Sequence, residues 1–143
     1  MERRIKVIEI TSDHLEQNLT LCGWVKTFRK QKDFSFLELT DGSNLNGIQI
    51  ILSEHTENYS SLIQSITTGC SLRVIGRLEK SPGNKQPWEI KAQNIHLLGL
   101  CPADRYPLQK KRHSFEFLRT LAHIRPRTNT QGAVMRVRNT LAY

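Results

Sequence analysis

The chain has 143 residues, 38% of them apolar, with a formal net charge of +8, which gives room for one ordinary domain with an appendage and excludes a disordered chain. No apolar run approaches the ~18 residues of a membrane span, and the opening MERRIKVIEI alternates and carries Glu2 and Glu9, unlike a signal or transit peptide, so a cytoplasmic protein is expected. The charge is uneven: residues 1–100 hold 12 Lys/Arg against 11 Asp/Glu and residues 101–143 hold 9 against 2, as a polyanionic partner such as nucleic acid, or simply a solvated basic face, would explain.

Five strand-like segments fill the first hundred residues. The first, Asn18–Phe28, puts Leu19, Leu21, Gly23 and Val25 on one side. The second, KDFSFLELTDG (Lys32–Gly42), puts Ser35, Leu37 and Leu39 on one side and Phe34, Phe36, Glu38 and Thr40 on the other. Two phenylalanines on its polar side are the anomaly of this stretch. DGSN (Asp41–Asn44) closes it as a turn. The third strand, Gly47–Leu52, has Ile48, Ile50 and Leu52 inward and Gln49 outward. A helix is expected over Asn58–Thr67, with Tyr59, Leu62, Ile63 and Ile66 on one face and Gly69 as its stop. The fourth strand, Ser71–Glu79, alternates Leu72, Val74, Gly76 and Leu78 against Arg73, Ile75 and Arg77. The turn SPGNKQP leads to the fifth, Trp88–Leu98.

The order β-β-β-α-β-β predicts an all-β class: a five-stranded Greek-key barrel of the OB-fold type, spanning residues 1–100. An SH3-like barrel ranks below it, because a helix between the third and fourth strands does not suit that fold. Gly23 and Gly76 fit the tight bends of a small barrel.

Past Leu100 the texture changes. Residues 101–130 read as a linker and hinge, with prolines, a basic cluster and a short helix capped by Ser114 that Pro126 interrupts. From Gln131 a second helix places Val134, Val137 and Leu141 one turn apart. It reaches Tyr143 with no stop signal and no partner for its stripe, so a truncated chain is expected.

No catalytic constellation is legible. Phosphate-binding glycine loops, HExxH and GxSxG are absent from the sequence, and His14, His55, His96, His113 and His123 are scattered. Cys22, Cys70 and Cys101 lack CxxC spacing, which suggests neither a disulfide framework nor a zinc site. A binding module without metal or cofactor of its own is expected. An OB-fold takes oligonucleotides across its second and third strands and the adjoining loops. Single-stranded bases stack on aromatic rings and are read by amide, carboxylate and guanidinium groups. Phe34 and Phe36 stand on the second strand, Gln49 on the third, and Glu89 on the fifth, on the side opposite Trp88 and Ile90, with packing favoured for Phe34. KTFRKQK (Lys26–Lys32) supplies Lys26, Arg29, Lys30 and Lys32 for phosphates.

FEFLRTLAHIRPRTN (Phe115–Asn129) resembles the hinge of asparaginyl-tRNA synthetases, in which a helix ending in H-[LI]-R-P-R-T-N follows the anticodon-binding barrel. GWVKTFRKQKDFSFLELTDGS, TTGCSLRVIGRLEKSPG, WEIKAQNI and YPLQKKRHSFEFLR carry the likeness over residues 15–143. The related aspartyl and lysyl enzymes share the barrel but differ at the hinge. The resemblance implies a class II ligase that uses ATP and Mg²⁺ to form asparaginyl-adenylate and passes asparagine to tRNA(Asn). It implies that Phe36 carries the middle anticodon uridine, that Gln49 and Glu89 read bases, and that Arg29 contacts the anticodon. That last match is looser, since many relatives read R-T-R-R where Lys26 to Arg29 stand here. The class II catalytic motifs and the homodimer contacts of such a ligase lie outside these residues, with 131–143 resembling only the approach to them. The chain by itself is therefore expected to bind tRNA without aminoacylating it. Two other readings stay open: a free-standing OB protein that binds single strands without sequence preference, and a protein-contact module using the Val134, Val137, Leu141 stripe.

Overall fold

The computed structural model describes residues 3–83, 86–109 and 111–143. Strands β1 (Asn18–Lys30), β2 (Phe34–Thr40), β3 (Ile48–Ser53), β4 (Ser71–Lys80) and β5 (Trp88–Gly99) close into a barrel in the order β1-β2-β3-β5-β4. Neighbours run antiparallel except β3 and β5, which are parallel. That one parallel contact closes the Greek key, and it is the arrangement of an OB-fold.

Alternation decides what lies inside. Leu37, Leu39, Ile50, Leu52, Leu72, Val74, Leu78, Ile90 and Ile95 are essentially removed from solvent and form one cluster. Burial of each such side chain contributes about 1.5–3 kcal/mol before entropy is counted. The two strand glycines are needed for closeness. A Cβ on Gly23 would meet the Thr40 carbonyl oxygen at 2.6 Å, and one on Gly76 would meet that of Lys91 at 2.5 Å. Both positions are held to glycine by the close approach of a neighbouring backbone.

The helix between β3 and β4 is shorter than its periodicity suggests. Only α1 (Tyr59–Leu62) is α-helical, where Asn58–Thr67 was expected. Asn58 enters at φ +66° and spends its side-chain amide on Asn94 and the Ile95 carbonyl. The Tyr59 hydroxyl bonds Ser35 at 2.7 Å. Beyond Leu62 the chain turns, and the Gly69 amide, at φ +93°, bonds the Val25 carbonyl at 2.7 Å. Tertiary bonds to the barrel have replaced helical ones, and local propensity yields to them.

Ahead of β1, two 3₁₀ turns (Val7–Glu9 and Ser12–His14) strap the barrel, with Val7 buried. The Val7 amide donates to Asp41 Oδ2 at 2.9 Å and the Ile8 amide to Ser43 Oγ at 3.0 Å. Burial pushes the Asp41 carboxyl up, but bonds from the Ser43 hydroxyl, the Val7 amide and the Ser43 amide outweigh it and hold the group below its ordinary range.

Two compact units divide the chain, Met1–Pro107 and Leu108–Tyr143. In the second, Ser114 Oγ accepts the Phe117 amide at 3.1 Å and starts α2 (Phe115–Thr120), as its sequence position predicts. Pro126 sits in a 3₁₀ turn, Arg125–Arg127, and α3 (Asn129–Ala142) follows. No helix among the described residues is long and apolar enough to cross a membrane.

Candidate nucleic-acid interface

Ser35, with no exposed surface, fixes the parity of β2. Its hydroxyl is held by Tyr59, so Phe34, Phe36 and Glu38 must face outward. What they face is set by an irregularity in β1. Val25 pairs with Leu39 inside the barrel, but Thr27 pairs with Glu38, so Lys26 is the extra residue of a bulge. One inserted residue reverses the parity of everything after it. Phe28 thereby pairs with Leu37 and packs on the core, while Arg29 comes out beside Phe36.

Two rows of outward side chains then cross the sheet. In the first, Arg29 pairs with Phe36, Phe36 with Ile51, and Ile51 with Lys91. In the second, Thr27 pairs with Glu38, Glu38 with Gln49, and Gln49 with Glu89. Adjacent strands lie about 4.8 Å apart, so each row extends some 14 Å. The register thus brings Arg29, Phe36, Gln49 and Glu89 onto one face from four strands.

Their environments differ. Glu89 is only 5% exposed. Its Oε2 accepts from Gln49 Nε2 at 3.3 Å and from Ser81 Oγ at 3.0 Å. A carboxylate can only accept, so the Gln49 amide must turn its NH₂ toward Glu89, leaving Oε1 as an acceptor with no partner among the described residues. Lys26 is taken up within the face: Nζ lies 2.8 Å from Glu38 Oε1 and 3.5 Å from the Leu45 carbonyl oxygen. Thr27 Oγ1 also donates to Glu38, at 3.4 Å. Arg29, Lys30 and Lys32, by contrast, are exposed and have no ion-pair partner among the described residues. Phe34, for which packing was favoured, is 47% exposed at the end of β2, paired with Ser53. Neither a loop nor the N-terminal strap covers it fully.

Ser81, Ile51 and Lys91 join the face without having been singled out in the sequence. Ser81 shares the parity of Glu79, which pairs with Glu89. A register for the fourth and fifth strands would have revealed it; the turn composition of SPGNKQP concealed it. Asn84 and Lys85 of that turn lie outside the described residues.

Residues 19–98 match the tRNA anticodon family, an OB-fold nucleic acid binding domain. The chain belongs to that family. This OB-fold domain is 53% identical over 133 residues to the asparagine–tRNA ligase of Desulfitobacterium hafniense (strain Y51), covering 93% of the chain and 28% of that protein. Against the asparagine–tRNA ligase of Microcystis aeruginosa (strain NIES-843 / IAM M-2473) it is 54% identical over 142 residues, covering 99% of the chain and 31% of the relative. The domain thus spans less than a third of the length of these curated relatives. In fold it is similar to the crystal structure of asparaginyl-tRNA synthetase from Pyrococcus horikoshii, with a TM-score of 0.82 at 18% identity, over 99% of the chain and 34% of that structure. The sheet carrying the two rows is the oligonucleotide-binding face of such domains, β2 and β3 with the β1–β2 and β4–β5 loops.

Proposed function

We propose that this OB-fold domain is the anticodon-binding part of an asparagine–tRNA ligase, with tRNA(Asn) as its partner. The observation that carries the reading is the convergence, by register, of a stacking ring (Phe36), an oriented amide (Gln49) and an exposed cation (Arg29) on the β2–β3 face. The identity to asparagine–tRNA ligases over nearly the whole chain supports it. Phe36 carries the middle anticodon base by stacking, and Arg29, Lys30 and Lys32 neutralise phosphates. Gln49 offers Oε1 to a base with an imino N–H, such as uracil or guanine, in preference to cytosine or adenine, whose corresponding ring nitrogen accepts. Glu89 acts through Gln49: it is a positioning residue that holds the amide in its reading orientation. Lys26, bound to Glu38, contributes less to phosphate contact than its neighbours. Activation of asparagine with ATP and Mg²⁺, transfer to tRNA and homodimer contacts fall to the part of the relatives that this chain does not span. The place of work is the cytoplasm.

Titration of the 143-residue chain with tRNA(Asn) tests this. Phe36→Ala weakens binding by about 1–3 kcal/mol, the worth of one stacked base. Replacing the middle anticodon uridine by cytidine weakens the parent protein as well, because the Gln49 oxygen then meets an acceptor. Affinity unchanged by both would overturn the reading. Random single strands that compete as well as tRNA(Asn) would replace it with sequence-independent binding.

A further inference from the structure

The interface holds a second ring whose position the anticodon reading leaves unused. Phe34 stands two residues before Phe36 with the same parity, and the fully buried Ser35 between them prevents either ring from turning inward. Two residues of extended strand advance the chain about 7 Å, comparable to one step between nucleotides in an unstacked strand. Across β3, Phe34 faces only the small Ser53. On its other side the position across from it belongs to Gln31, whose amide donates to the Phe34 carbonyl at 2.9 Å. Phe34 is 47% exposed and stands apart from the barrel's core cluster. Arg29, opposite Phe36, shares its face, and the turn beside it carries Lys32 and the acidic Asp33, all three exposed; Lys30, opposite Ser35, has the inward parity.

We infer that Phe34 is a second stacking platform, taking the nucleotide next to the one on Phe36, with Arg29 and Lys32 neutralising the phosphate between them. The contact is with the face of a base rather than its edge. It therefore adds affinity whatever the base is, while Phe36 and Gln49 read identity. This inference rests on the proposed binding of an anticodon loop across β2 and β3.

The test couples protein and RNA. An RNA stem-loop with the tRNA(Asn) anticodon loop is titrated against the parent chain, Phe34→Ala, Phe34→Leu and Phe36→Ala. The titrations are repeated with stem-loops carrying one abasic nucleotide immediately before or after the middle anticodon position. Phe34→Ala is expected to weaken binding about 5- to 150-fold, the range for one stacked base. Phe34→Leu, which keeps apolar bulk but lacks a flat ring, is expected to lose most of the same amount. Against the abasic loop at one of the two flanking positions, the penalty of Phe34→Ala should vanish. Full affinity in both Phe34 variants, with Phe36→Ala still weakened, would overturn the second platform and leave the anticodon reading standing. A penalty that persists undiminished against both abasic loops would overturn it too, by showing that the ring only supports the sheet. If Phe36→Ala also binds normally, the anticodon reading itself falls.

Discussion

The barrel and the C-terminal unit solve the burial of apolar residues in opposite ways. In the barrel, alternation sends nearly every aliphatic side chain to one side, and Leu39, Ile50, Leu78 and Ile90 lose all contact with solvent. In α3 the helical spacing of Val134, Val137 and Leu141 is as regular, yet Val137 is 59% and Leu141 82% exposed. The strands draw their stability from tertiary packing, as strands must. A 14-residue helix without a buried face depends on its own backbone bonds, which are marginal at that length. Periodicity alone therefore says that a face exists, not that it is covered.

The largest expected effect separates the two units. Ile90→Ala removes a side chain lying between β3 and β4, paired there with Ile50 and Leu78. It should cost about 2–5 kcal/mol in urea unfolding. Val137→Ala should change stability by no more than about 0.5 kcal/mol, since exposed substitutions rarely exceed that. A cost for Val137→Ala near that of Ile90→Ala would break the comparison, because it would mean the stripe is covered in solution.

How much of this was legible in the sequence follows the same division. The inward set of β2 and the aliphatic sides of β3 and β4 were readable, because period-two alternation and burial are one fact in a barrel. The single inserted residue at Lys26 was not, because alternation within a strand carries no register between strands. Its trace in the sequence is Phe28, which is out of phase with Val25 if β1 is regular. Glu89 illustrates the second limit. Its place opposite Trp88 and Ile90 was readable, but its burial depends on Gln49 and Ser81, which come from another strand and a turn. The short α1 shows the third: Asn58 and Tyr59 use side chains for tertiary bonds that no local propensity records.

A smaller effect tests the strap that the barrel adds to its own packing. Asp41→Ala removes the acceptor for the Val7 amide and for the Ser43 amide and hydroxyl. About 1–2 kcal/mol of stability should go with it, the usual worth of bonds to a charged group at a partly exposed site. The sign of its pH dependence is fixed. The folded carboxyl titrates below its ordinary value of 3.8, so its contribution is fully present above that pH and fades as the pH falls through the folded value. Parent and variant should therefore differ by a constant amount near neutrality and converge in acid. A gap that widens below pH 4 would show that the strap does not rest on the ionised carboxylate.

The smallest effect belongs to the C-terminal unit, and it asks whether local bonds there are as decisive as its exposed side chains imply. Ser114→Ala deletes the oxygen that accepts the Phe117 amide. The cost expected of a lost N-cap is about 1 kcal/mol, and in a six-residue helix it has nowhere to spread. Packing within the unit offers one compensation, the His113 ring stacked 5.4 Å from that of Phe117. If capping dominates, amide exchange at Phe117 and Leu118 should quicken about fivefold, the equivalent of that 1 kcal/mol, and adding His113→Ala should change it little further. If His113→Ala alone quickens exchange as much as Ser114→Ala, α2 is held by side-chain packing, and the contrast with the barrel holds only for α3.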